Sequence, residues 1–105
     1  MTISDRYRDI TRAVQRFHEE LAATADTEPV GLRDIDKAQR GLGELFEQVG
    51  EIPRMRLEFE LTPVLLKAHN SLDRARLLLE GAESEESAAR AWELQQRIYR
   101  LLNDL

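Results

Sequence analysis

Pro53-Arg54-Met55-Arg56-Leu57-Glu58-Phe59-Glu60-Leu61-Thr62-Pro63 decides the fold of this chain. Met55, Leu57, Phe59 and Leu61 alternate with charged residues, which is the pattern of a half-buried strand. Yet Arg, Met, Leu and Glu are good helix formers, and Arg54 to Leu61 contains none of the β-branched residues that strands favour. Leu57 and Leu61 also fall in phase with Leu65, Ala68, Leu72, Ala75 and Leu79. That three-four spacing lays one apolar seam along a helix. A lone strand would need a partner strand, and no other segment offers one. The stretch is therefore read as helix, with a strand pairing two copies of the chain as the alternative. Thr62-Pro63 is itself a helix-start signal. The third helix is thus expected to be long, kinked or split at Pro63, and ended by Gly81.

Three more seams lie outside this stretch. Ile3, Tyr7, Ile10, Val14, Phe17 and Leu21 predict a first helix from about Ile3 to Ala25, with Thr2 and Asp5 forming a capping box. Thr24 to Gly31 reads as a connection, with Pro29 placed in the first turn of the next helix. Leu32, Ile35, Leu42, Phe46 and Val49 predict a second helix over Val30 to Val49, closed by Gly50 as a left-handed cap. Gly41 and Gly43 lie inside it, each costing ~1 kcal/mol against Ala in a helix. They are expected to mark a close helix approach, or else a break. Ala82 to Ser84 forms the last turn, and Glu83, Glu85 and Glu86 suit the positive end of a fourth helix. Its seam is Ala91, Leu94, Ile98, Leu101 and Leu105. Four seams in one domain spanning residues 1–105 predict an all-α fold: a four-helix bundle with up-down connectivity, because the connections near Gly50 and Gly81 are short.

Composition narrows the function classes. Hydrophobic residues at 42% and charged residues at 33% suit a folded helical domain rather than a disordered chain. No apolar run exceeds three residues, so no membrane span is expected. The chain has no cysteine and its first residues form no apolar leader, which points to a cytoplasmic protein without disulfides or thiolate chemistry. The acidic net charge of -5 argues against nucleic acid as a partner.

Site chemistry is sparse. His18 and His69 each lie one residue past a seam, on a half-exposed flank, and their neighbours lack the acceptor pattern of histidine phosphotransfer domains. Neither follows a Glu three residues earlier, as di-iron bundles require. His69 and Asp73 are four apart and are expected to share a structural hydrogen bond. No metal and no cofactor is expected, and a catalytic role is the weaker reading. Arg8, Arg12 and Arg16 share one face of the first helix and are candidate contacts for an anionic partner, nucleic acid included. Asp5, Asp9, Glu19 and Glu20 stand at pairing distance along the same helix and can neutralise that ridge instead. Arg90, Arg97 and Arg100 form a looser stripe on the fourth helix. A small enzyme or ligand-binding bundle would use such Arg side chains converging from several helices.

The apolar surplus is the stronger lead. Trp92, Tyr99 and Leu102 surround the fourth seam, while Met55, Leu57 and Phe59 lie on the end of the third helix that overhangs its neighbours. These six residues form the expected interaction surface. They suggest a non-enzymatic protein-interaction module — an adaptor, assembly subunit or inhibitor — that self-associates as a homodimer and binds a further protein.

Overall fold

A computed structural model describes residues 1–24 and 26–105. Its elements are α1 (Ile3–Ala22), α2 (Leu32–Gly43), a 3-10 turn (Val49–Glu51), α3 (Arg54–Gly81) and α4 (Glu85–Asp104), with no strand among the described residues. The four helices form a ring in which α1 and α3 each pack against both α2 and α4, and the diagonal pairs do not pack. The result is a four-helix bundle.

The deciding stretch is helical. α3 runs for 28 residues without a break at Pro63, which removes both the strand and the split helix. Pro63 lacks the N–H that would reach the Phe59 carbonyl one turn back. Both residues are exposed, so the gap lies on the solvent side of the helix. All seven seam residues, from Leu57 to Leu79, are buried. At 1.5 Å per residue the helix is about 42 Å long, and it sets the 44 Å long axis of the molecule.

α1 opens on the expected capping box. The Asp5 N–H donates to the Thr2 hydroxyl at 3.1 Å, and the Thr2 N–H donates to the Asp5 carboxylate at 3.3 Å. These bonds hold the Asp5 carboxyl below its usual range. The helix ends at Ala22, short of the expected limit, and Ala25 lies outside the described residues. Its antiparallel partner α4 is tied to it at both ends. Arg6 pairs with Asp104 at 2.7 Å, and Arg90 pairs with Glu20 while its guanidinium lies 4.8 Å from the centre of the Phe17 ring.

α2 departs most from expectation. It begins at Leu32, so Pro29 precedes the helix rather than entering its first turn, and it stops at Gly43. Gly31 caps it with φ 81°, a conformation that favours glycine. A Cβ at Gly31 would sit 3.2 Å from the Ala75 carbonyl oxygen, so the close approach of α2 to α3 is here. Gly41 and Gly43 are not the contact, because nothing lies within 4 Å of a Cβ at either one. Gly50 is not a left-handed cap either: among the described residues only Gly31 and Glu83 have positive φ.

Side chains of α1 satisfy carbonyls where α2 ends. The buried Tyr7 hydroxyl donates to the Leu42 carbonyl at 2.6 Å, and burial, with the nearby Glu44 charge, pushes the phenol pKa up. Arg8 donates to the Phe46 carbonyl at 2.9 Å and the Glu47 carbonyl at 3.2 Å. A helix continued to Val49 would turn the Leu42 carbonyl toward the Phe46 N–H instead. Since Gly41 meets open space, Gly41→Ala is expected to stabilise the domain by about 0.4–1 kcal/mol in denaturant unfolding. Destabilisation would reinstate the close contact at that position.

The turn between α3 and α4 also shifts one assignment. The Ser84 N–H donates to the Leu79 carbonyl at 2.9 Å and the Glu83 N–H to the Glu80 carbonyl at 3.0 Å, the paired bonds of a Schellman cap. Its left-handed position, normally glycine, is Glu83 at φ 61°. Glu83 therefore closes α3, and only Glu85 and Glu86 occupy the first turn of α4.

Candidate interaction surface

α3 carries two apolar faces. At 100° per residue, Met55, Phe59, Leu66 and Leu77 fall within roughly 40° of arc, about 140° around the helix from the buried seam. All four are exposed, Met55 at 96% and Phe59 at 81%. On the neighbouring helix, Trp92 is 52% and Tyr99 55% exposed. Two residues expected on this surface are not part of it. Leu57 is buried, and Leu102 is half-buried against the core.

The overhang explains both Phe59 and Leu57. Gln95 of α4 meets Asp73 of α3, which fixes the level of one helix on the other. Nine residues of α4 follow Gln95, about 14 Å, whereas nineteen residues of α3 precede Asp73, about 28 Å. The first turns of α3 thus project past the end of α4. Leu57 is nonetheless buried in the same core as Val49, against which Leu45 and Ile52, from the segment between α2 and α3, also pack. Phe59, two residues on, points the other way into water.

A polar clasp joins α3 to α4 beside this surface. Gln95 is buried, donating to Asp73 Oδ1 at 3.1 Å and accepting from Arg76 Nε at 3.2 Å. Arg76 also bonds Asp73 and Glu80, each at 2.7 Å, and its guanidinium lies 5.5 Å from the centre of the Trp92 ring. Asp73 is thus engaged by Arg76 and Gln95, and the expected hydrogen bond from His69 is not formed. Hydrogen bonds from Arg76 and then Gln95 hold the Asp73 carboxyl below its usual range. A carboxyl depressed in the folded state adds stability above its unfolded pKa and loses it as pH falls through the folded one. Asp73→Asn is therefore expected to flatten the fall in melting temperature on acidification below about pH 4. An unchanged acid profile would show that the clasp contributes nothing.

The cationic candidates disperse. Arg8 is bound to carbonyls, and Arg12 lies 5.1 Å from the centre of the Phe46 ring and 3.8 Å from Asp9. Arg16 is exposed without an ion-pair partner among the described residues, since Glu20 is taken by Arg90. Arg6, Arg97 and Arg100 instead line one open cleft of about 230 Å³ between α1 and α4, along with Met1, Asp9 and Ile10. His18 lies 3.7 Å from Asp36 across α1 and α2. Among the described residues, no group of three or more acidic, His or Cys side chains could hold a metal ion. No helix among them is long and apolar enough to cross a membrane.

Sequence reasoning missed Gln95 and Arg76, because a glutamine one residue past a seam carries no signal of its burial. The outer stripe did leave one: Met55, Leu66 and Leu77 recur every eleven residues, three helical turns apart. Compared with known proteins, the chain matches no family model, no curated protein and no solved structure.

Proposed function

We propose that this chain is a non-enzymatic protein-interaction module that acts as a homodimer through the outer face of α3, with Trp92 and Tyr99 at its border. The observation that carries this reading is the second apolar stripe: a helix already buried along one seam has no need of another. A second copy is the favoured occupant because the charged residues flanking the stripe have opposite signs on its two sides, so the face complements itself. A dimer of this kind would present its remaining surface to a further protein, as an adaptor or assembly subunit does. The cysteine-free composition suits a cytoplasmic setting. Light scattering at micromolar concentration tests the reading. Twice the protomer mass is expected, and a monomer across that range would refute it.

One observation favours a second reading. The cleft that gathers Arg6, Arg97 and Arg100 suits a small carboxylate or phosphate, although Arg6 is already paired with Asp104. Amide shifts of Arg97 and Arg100 that stay fixed on titration with inorganic phosphate would discard it.

A further inference from the structure

We infer that the two copies pair in parallel, about a twofold axis that runs along their α3 helices; this rests on the self-association proposed above. The first ground is the sorting of charge beside the stripe. Asp73 and Arg76 bond Gln95 and so mark the side of α3 that faces α4. By helical phase, Glu58 and Glu80 lie on that same side. Asp73 falls at the phase of Met55, on the edge of the stripe toward α4; together with Glu58 and Glu80 it outweighs Arg76, and that side is net acidic. Ala75, close to Gly31, marks the side toward α2. Arg56, Lys67 and Arg74 lie on the outer edge of that side with Glu60 the single acid, and it is net basic.

A twofold axis along the helices brings the α4 side of one copy against the α2 side of the other. Acidic then meets basic on both edges of the contact. A twofold axis across the helices gives an antiparallel pair and lays like side on like side. That arrangement sets acid against acid and base against base, a pattern that charged flanking positions penalise in paired helices.

The apolar borders favour the same arrangement. Trp92 stands beside Arg76 on the α4 side, and Val30 and Leu78 line one hollow on the α2 side. Arg76 and Leu78 are two residues apart, so the indole and the hollow lie at nearly the same height. Parallel pairing seats each Trp92 over the Val30–Leu78 hollow of the other copy. Antiparallel pairing instead carries each Trp92 toward the overhanging end of α3, near Glu58. Asn70 lies beside the stripe between Leu66 and Leu77; the parallel pair places it level with its twin, whereas an antiparallel pair centred on Leu66 sets it against Thr62. A single amide in an apolar seam commonly fixes such a register.

The cysteine-free chain permits a direct test. Gly81→Cys puts a spin label at an exposed position where a Cβ meets nothing within 4 Å. Parallel helices pack 8–10 Å apart, so with the label arms a separation below roughly 25 Å is expected. An antiparallel pair centred on Leu66 would hold the labels about 45 Å apart, thirty residues at 1.5 Å each. Arg54→Cys, at the exposed start of α3, is the second site and is also expected to give the short distance. Short distances at both sites support the parallel pair. In a protein of dimeric mass, distances of about 45 Å at Gly81→Cys and about 36 Å at Arg54→Cys overturn the pairing mode and leave self-association standing. A monomeric mass with no dipolar coupling overturns both.

Discussion

Leu61→Ala is expected to destabilise the bundle by about 2–5 kcal/mol, the range for truncating a fully buried leucine. Leu61 is 0% exposed, the second of the seven α3 seam residues, and the other six are buried with it. Removing three carbons there leaves a cavity that the surrounding side chains close only in part. Domains are stable by only about 5–15 kcal/mol, so the change takes a large share of the total. Phe59→Ala, two residues earlier, is the matched control. Its ring stands in water in the protomer, and its loss should leave protomer unfolding within about 0.5 kcal/mol of the parent. Denaturant unfolding at a concentration low enough to dissociate any dimer measures both. A Leu61→Ala loss below about 1 kcal/mol would mean that this face of α3 is not the packed one.

Replacing Met55 and Phe59 together by Glu is expected to weaken self-association at least 100-fold while the protomer keeps its helical spectrum. Both side chains are exposed, so neither change buries a charge in the protomer. In the proposed dimer, two carboxylates per copy would enter an apolar contact without partners, each costing several kcal/mol. About 2.7 kcal/mol already corresponds to a factor of 100. Glu58 beside them adds to the repulsion. Sedimentation equilibrium of parent and variant decides the matter, and an unchanged dissociation constant would remove the overhang from the contact.

The contrast between Leu61 and Phe59 also marks what could be read without coordinates. The buried seams of α1, α3 and α4 were readable because each repeats every three or four residues over several turns. That same phase gave the helical reading of 53–63 against its strand-like alternation. α2 was misread in its second half, because Phe46 and Val49 continue the apolar spacing of a helix that has ended at Gly43. Spacing carries no trace of what α1 does there: Tyr7 takes the Leu42 carbonyl and Arg8 the Phe46 carbonyl just beyond, contacts 35 and 38 residues apart in sequence. The close approach expected at Gly41 and Gly43 belongs to Gly31, while the break offered as its alternative is met at Gly43, where α2 ends. Composition shows that a glycine is present, and only packing shows whether anything approaches it. On the surface, Met55, Phe59, Trp92 and Tyr99 were identified from apolar residues outside the seams, and each is exposed. Leu57 was misplaced because it belongs to the seam itself, and Leu102 because it lies close enough to the seam to pack on the core.

A dilution series of backbone amide shifts reports whether a second copy covers the outer face of α3. Concentration-dependent shifts grouped at Met55, Phe59, Leu66, Leu77 and Trp92 are expected, with the cores of α1 and α2 unmoved. Shifts that stay constant over the micromolar range, or that move on α1 and α2 instead, would contradict it.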